Sequence, residues 1–107
     1  MIRPKETGTN MKPSDQQRLH ARVYGRVQGV GFRYYVLNTA AELGLVGWAR
    51  NRKDDSVEVI AEGEIEILKA LVRALERGSN SSAVREVKTN LQEASGEFGS
   101  FYIRPTL

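Results

Sequence analysis

Alternating apolar and polar positions begin at Leu19 and predict an ordered series of strands and helices from there onward. In the first segment, Leu19, Ala21 and Val23 alternate with polar neighbours, which is the period of a strand with one buried face. The glycine-rich segment 25–31 follows this strand. Apolar residues then recur at helical spacing, and Gly44 is placed to end the helix that they predict. The apolar residues of this helix are Phe32, Val36, Ala40 and Leu43.

The later segments predict a hairpin, a second helix and two further strands. Residues 45–50 predict a second strand. After the polar turn 51–56, residues 57–62 alternate and predict the strand that pairs with it as a hairpin. A second set of apolar residues follows at helical spacing, and Gly78 is placed to end that helix. Its apolar residues are Ile65, Leu68, Leu71, Val72 and Leu75. The last two strands are predicted at about 84–91 and at 101–103.

The predicted order of elements is β-α-β-β-α-β, followed by a short terminal strand. This order favours an α+β, ferredoxin-like architecture: a four- to five-stranded antiparallel sheet with two helices on one face and the other face open to solvent. Residues 19–107 form the domain, because a chain of 107 residues has no room for a second core. Residues 1–18 contain Pro4, Pro13 and almost no apolar side chains, so we predict a flexible N-terminal extension.

The composition excludes several classes of function. The chain has no cysteine, which excludes disulfides, thiolate nucleophiles and cysteine-bound zinc. His20 is the single histidine, so a multi-histidine metal site is excluded as well. No apolar run approaches the roughly 20 residues that cross a bilayer, and residues 1–18 lack the apolar stretch of a secretory signal. We therefore expect a cytoplasmic protein with no membrane partner.

The charge pattern gives little support for nucleic-acid binding. The formal net charge is +3, of which residues 1–18 hold +2, so the domain itself is nearly neutral. Tyr24, Trp48 and Ile60 are predicted to share the open sheet face, and RNA-binding modules of this architecture carry aromatic residues there. The basic and aromatic strand motif of those modules is not in the sequence. We interpret Trp48 as structural and keep RNA binding as a minor alternative.

The segment between the first strand and the first helix has the features of an anion-binding loop. Glycines such as Gly29 and Gly31 reach backbone conformations that other residues avoid. The first amides of the following helix have no intrahelical acceptor, and the helix dipole favours an anion there. Arg33 adds a guanidinium that can bind two phosphate oxygens. On glycine spacing alone, an ordinary strand-to-helix turn with a surface arginine is an equally open interpretation.

Two motifs resemble the signatures of the acylphosphatase family. Residues 23–33, Val-Tyr-Gly-Arg-Val-Gln-Gly-Val-Gly-Phe-Arg, resemble the first signature across its whole length. Residues 47–51, Gly-Trp-Ala-Arg-Asn, resemble the start of the second signature, and Val57 and Gly63 follow in step. Asp55 stands where the family usually has glycine. Aspartate tolerates a left-handed backbone better than most residues, so this difference is compatible with the predicted hairpin.

The resemblance implies an enzyme that hydrolyses the anhydride bond of small acyl phosphates to a carboxylate and inorganic phosphate. As catalytic residues, it implies Arg33 to bind the phosphoryl group and Asn51 to orient the attacking water. It also implies a phosphate-binding set of backbone amides, those of Gln28, Gly29, Val30, Gly31 and Phe32. No metal ion or other cofactor is implied, and we expect a monomer whose partner is the small substrate. A catalytically silent module that binds phosphate or a metabolite is the alternative.

Overall fold

The computed structural model describes residues 15–107, which form one five-stranded sheet with two helices packed on the same face. The elements confirm the predicted order. They are β1 (Gln16–Arg26), α1 (Phe32–Glu42), β2 (Val46–Asn51), β3 (Val57–Glu64), α2 (Ile65–Arg77), β4 (Ala83–Glu93) and β5 (Phe101–Ile103). Because β1 begins at Gln16, residues 16–18 belong to the sheet and not to the predicted extension, whose residues 1–14 lie outside the described part of the chain.

The strand order across the sheet is β4-β1-β3-β2-β5. The three pairs among β1 to β4 are antiparallel, as predicted, but β5 pairs parallel to β2. The sheet is therefore mixed and not antiparallel throughout. The physical reason is the path of the chain: β4 ends at the edge where β2 begins. The connecting segment 94–100 stays at that edge, so β5 must run in the same direction as β2.

The core lies between the sheet and the two helices. Leu19, Ala21 and Val23 of β1 pair with Ala61, Val59 and Val57 of β3, and all six side chains are almost fully buried. This register confirms the period of two in the sequence, because alternate residues of both strands face the helices. The helices contribute the largest buried side chains on the opposite side of the core, Phe32, Val36, Leu68, Leu71 and Leu75.

The sheet face away from the helices, which we call the outer face, is not open at its centre. Trp48 and Ile60 are each only 7% exposed there. Two guanidinium groups contact the Trp48 ring, with the Arg50 Cζ 4.7 Å and the Arg104 Cζ 5.0 Å from its centroid. Two long cationic side chains thus help to cover the aromatic ring. The prediction of an open face is wrong at this position, and Trp48 is not available for stacking with a base.

Strand directions place two connections side by side at one edge of the sheet. β1 and β2 both run antiparallel to β3, so they are parallel to each other and their carboxyl ends lie at the same edge. The loop 27–31 leaves β1 there, and the turn 52–56 leaves β2 there. The α1 helix also begins at this edge. Among residues 15–107, neither helix is long and apolar enough to cross a membrane.

Candidate active site

The loop between β1 and α1 is shaped by two left-handed glycines. Gly29 has φ 71° and Gly31 has φ 74°, in the region that favours glycine over all other residues. A Cβ built on either glycine would meet no atom within 4 Å. Glycine is therefore favoured by the backbone conformation and not by lack of space, and the side of the loop on which a Cβ would project is accessible to a ligand.

The main-chain donors of this loop have no protein acceptors. Within the described chain, the N–H groups of residues 28–31 donate to no backbone or side-chain oxygen. The first N–H groups of α1 lack intrahelical partners by geometry. The helix has no side-chain cap and no acidic residue in its first turn. These donors and the helix dipole together form a site that attracts an anion.

Arg33 lies in the first turn of α1 and is half-buried. The other half-buried arginines among residues 15–107 all form ion pairs, in the pairs Arg18–Glu62, Arg22–Asp54, Arg50–Glu58 and Arg52–Glu58. In contrast, Arg33 forms no ion pair or hydrogen bond with any described residue. Arg33 is thus a half-buried arginine with no anionic partner among residues 15–107, and it follows the first residue of α1 directly after the loop.

Asn51 is the last residue of β2, and its side chain projects toward the helices, as Ala49 does. Its Oδ1 atom is buried and accepts no hydrogen bond from any group in the described chain. A buried polar atom without a partner costs about 1–3 kcal/mol. Such an atom is uncommon and calls for a functional explanation, and a water molecule or ligand at the site would supply the donor.

The side chain of Gln28 joins the loop to the turn that follows Asn51. Its Nε2 donates to the carbonyl oxygens of Arg52 and Ser56, each at 2.8 Å. Sequence reasoning assigned Gln28 only a backbone amide and missed this contact, as well as Ser56, which is 1% exposed. The available signal was a polar side chain in a segment of glycines and valines. The loop that precedes Arg33 therefore contacts the turn 52–56, which directly follows Asn51.

The turn 52–56 has a left-handed backbone at Asp55, the position where the family usually has glycine. Asp55 has φ 74° and is the sole non-glycine residue with positive φ among residues 15–107. Asp54 holds the turn closed, because its carboxylate accepts hydrogen bonds from the Ser56 amide at 3.1 Å and from Arg22 at 3.2 Å. Hydrogen bonds from Ser56 in particular hold the pKa of Asp54 below its ordinary value. The hairpin therefore forms with aspartate in place of glycine.

The donor set at this edge suits an anion and not a metal ion. Its groups are main-chain N–H donors and a guanidinium, which carry positive or partly positive charge. Within residues 15–107, no three histidine, aspartate or glutamate side chains are grouped so that they could hold a metal ion. A tetrahedral phosphate, with several oxygens that each accept hydrogen bonds, matches this arrangement.

Comparison with known proteins gives a consistent result. The family model described as Acylphosphatase matches residues 19–103. An acylphosphatase of Pseudomonas paraeruginosa is 50% identical over 86 residues, covering 80% of this chain and 93% of the relative. The crystal structure of acylphosphatase from Bacillus subtilis has a TM-score of 0.79 and 38% identity, covering 82% of this chain and 98% of that one. An acylphosphatase structure from Coxiella burnetii has a TM-score of 0.81 and 32% identity, covering 90% and 100%.

Proposed function

The chain belongs to the acylphosphatase family, and on that premise we propose that it hydrolyses the carboxyl–phosphate anhydride bond of small acyl phosphates. The observation that supports this most directly is that Arg33, half-buried and unpaired among residues 15–107, directly follows a loop whose amides have no acceptor in that part of the chain. In this proposal the amides of residues 28–32 and the Arg33 guanidinium bind the oxygens of the phosphoryl group. The phosphoryl group loses hydrating water on binding, and the positive charge of these donors stabilises it in place of that water.

Asn51 is proposed to orient the attacking water. Its buried Oδ1 has no donor among residues 15–107, so it can accept a hydrogen bond from a water placed in line with the scissile bond. The water oxygen forms a bond to phosphorus while the bond from phosphorus to the carboxylate oxygen breaks. The carboxylate leaves as an anion without needing a proton, and a phosphate oxygen takes the proton of the water late in the reaction. The products are one carboxylate and one inorganic phosphate.

The chemistry needs little beyond positioning and charge stabilisation. Phosphoryl transfer passes through a loose transition state, in which negative charge is spread over the equatorial oxygens. Fixed N–H donors and one guanidinium can stabilise that charge, so we propose that no metal ion takes part. No covalent phosphoenzyme is required. This accords with the absence of cysteine from the sequence.

The wider setting of the enzyme is proposed on physical grounds as well. We propose that it acts as a monomer in the cytoplasm, because the chain has no cysteine and its domain is nearly neutral. We propose no nucleic-acid partner, since Trp48 is covered by Arg50 and Arg104. The partner of the site is then the small acyl phosphate alone.

The direct test is hydrolysis of benzoyl phosphate by the full chain in the presence of EDTA. We expect turnover well above the uncatalysed rate, unchanged by the chelator, with competitive inhibition by inorganic phosphate. Phosphate binding without turnover would instead identify a silent binding module. Loss of turnover in EDTA, restored by a divalent cation, would contradict the metal-independent mechanism.

A further inference from the structure

Gln28 carries a side-chain contact that the proposed mechanism does not use. Phosphate binding needs only its backbone amide, yet its side-chain amide donates to both ends of the turn 52–56. Gln28 is half-buried, so the contact is partly shielded from competing water. The carbonyl of Ser56 also accepts the Arg52 amide at 2.8 Å, which closes the turn. The Gln28 side chain therefore binds a closed turn and not a loose loop.

The same turn is held from the outer face by β1. Arg22 Nε donates to the Ser56 hydroxyl at 2.7 Å, and Arg22 Nη2 donates to the Asp54 carboxylate at 3.2 Å. Ser56 is 1% exposed and is contacted on its carbonyl by Gln28 and on its hydroxyl by Arg22. One continuous segment of the chain, residues 22–28, thus contacts the turn through Arg22 at its first residue and Gln28 at its last.

These hydrogen bonds tie the position of Asn51 to the position of the anion-binding loop. The loop amides and Arg33 follow Gln28 along the chain, and Asn51 directly precedes Arg52. The hydrogen bond from Gln28 to the Arg52 carbonyl therefore joins the anion-binding loop to the residue next to Asn51, which is proposed to orient water. Water attack requires alignment with the scissile bond, and a misplacement of about 1 Å can cost on the order of 100-fold in rate.

We propose that the side chain of Gln28 is a positioning residue that holds Asn51 in register with the anion-binding loop. The inference rests on the proposed function and assigns this side chain a separate role within it. Gln28 acts through Asn51, so its loss lowers kcat while the affinity of the loop for phosphate persists. The loop retains its own glycines, its amides and Arg33 for that affinity.

The test is a double-mutant cycle between Gln28 and Asn51, measured on benzoyl phosphate. Gln28→Met keeps the length of the side chain and removes both N–H donors. We expect it to lower kcat about 10- to 100-fold, while the inhibition constant of inorganic phosphate changes less than about twofold. In the Asn51→Ala background the same substitution should change kcat less than about threefold, because the water is then no longer positioned by Asn51.

Controls separate this inference from folding and from the proposed function. Gln92→Ala removes an exposed glutamine of β4 that has no side-chain hydrogen bond among residues 15–107, and it should leave kcat unchanged. Gln28→Ala repeats the test with a smaller side chain, and urea unfolding verifies that each variant is folded. Additive effects of Gln28→Met and Asn51→Ala, or a proportional loss of phosphate affinity, would overturn the positioning role. Absence of turnover in the unmodified chain would overturn the proposed function itself.

Discussion

Arg33 differs from the other half-buried arginines of residues 15–107, because no carboxylate of those residues lies within ion-pair distance of it. A cation that gives up part of its water shell without a protein partner is unfavourable for folding. Under the proposed function, its place directly after the unpaired amides of the loop explains why it is retained in that state. In that proposal a bound phosphoryl group offsets the cost to folding, because the guanidinium gains a charge-assisted, two-point contact.

Arg33 and Asn51 should differ in the kinetic step that they affect. Arg33→Gln removes the charge that is proposed to hold the phosphoryl group. We expect kcat/KM to fall roughly 100-fold, which corresponds to a loss of about 3 kcal/mol in transition-state stabilisation, and inhibition by phosphate to weaken in parallel. Asn51→Ala lowers kcat on the order of 100-fold and leaves phosphate inhibition almost unchanged. Steady-state kinetics on benzoyl phosphate with added phosphate measure both effects. Arg73→Gln, an exposed arginine of α2, is the matched control, and near-normal turnover by either site variant would contradict the assignments.

At the residue scale, the sequence identified candidates but not their contacts. Arg33 and Asn51 came from the two motifs, and their catalytic roles stay predictions. The missing partner of Arg33, the buried Oδ1 of Asn51 and the side-chain contact of Gln28 depend on residues that are distant in sequence. No local pattern encodes such contacts, because they exist only after β1 and β2 are brought to the same edge.

At the scale of elements, the turn between β2 and β3 shows how neighbours accommodate an unfavourable residue. Asp55 adopts φ 74°, which costs a non-glycine residue on the order of 1 kcal/mol. Asp54, Arg22 and Gln28 each hold the turn through contacts that do not involve the Asp55 side chain. The conformation of the turn is therefore fixed independently of glycine at this position.

Asp55→Gly should stabilise the fold slightly and leave catalysis unchanged. Relief of backbone strain is partly cancelled by the greater freedom of glycine in the unfolded chain, so we expect a gain of no more than about 1 kcal/mol in unfolding free energy. The turnover of benzoyl phosphate should change less than about twofold, which is small enough to come from the change in stability alone. Urea unfolding and steady-state kinetics measure the two quantities. A large gain in activity would mean that the native turn holds Asn51 badly.

Element order and type were predictable because they follow from local periodicity. Both helices end at the predicted places, with Leu43 and Gly78 as their C-terminal caps. The parallel pairing of β5 was not predictable in the same way. It depends on the route of the segment 94–100, which is set by contacts with Arg18 of β1 and Glu62 of β3, both distant in sequence.

At the scale of the whole molecule, Glu62 ties three parts of the chain together. Its carboxylate, 3% exposed, accepts hydrogen bonds from Arg18 of β1 at 2.7 Å and from the amides of Ser95 and Gly96 at 3.0 Å each. Burial alone would raise the pKa of Glu62, but the hydrogen bonds from Ser95, Gly96 and Arg18 outweigh it and lower the pKa below its ordinary value. The ionised form is thus the one that stabilises the fold.

The stability of the domain should therefore decrease in acid through Glu62. Because the folded pKa lies below the ordinary value of 4.5, its contribution is complete above that value and is lost as the pH falls through the lower folded pKa. Glu62→Gln should cost about 1–3 kcal/mol near neutral pH, and this difference from the unmodified chain should shrink as the pH falls below the ordinary value of 4.5. Urea unfolding at several pH values measures it. Glu66→Gln, in an exposed pair with Lys69, is the control and should show no such cost in unfolding free energy. A cost of Glu62→Gln that does not depend on pH would contradict this role of the Glu62 carboxylate.

The burial of the outer face could not be predicted from composition. The sequence shows Trp48 and Ile60 among charged neighbours, a pattern that fits an exposed sheet as well as a covered one. Cover comes from arginine stems and from the segment 94–100, where the ring of Phe98 lies 5.4 Å from the Arg18 guanidinium carbon. These contacts join residues from opposite ends of the domain, so only the assembled sheet reveals them.

The parallel strand β5 also has a consequence for biosynthesis. The amide of Arg104 donates to the Ala49 carbonyl at 2.9 Å, and the amide of Leu107 donates to the Asn51 carbonyl at 3.2 Å. The ribosome delivers residues 101–107 after every other element described, so on a nascent chain β2 remains an unpaired border of the sheet. A stalled chain that stops before them presents a bare strand that chaperones or other nascent chains can capture.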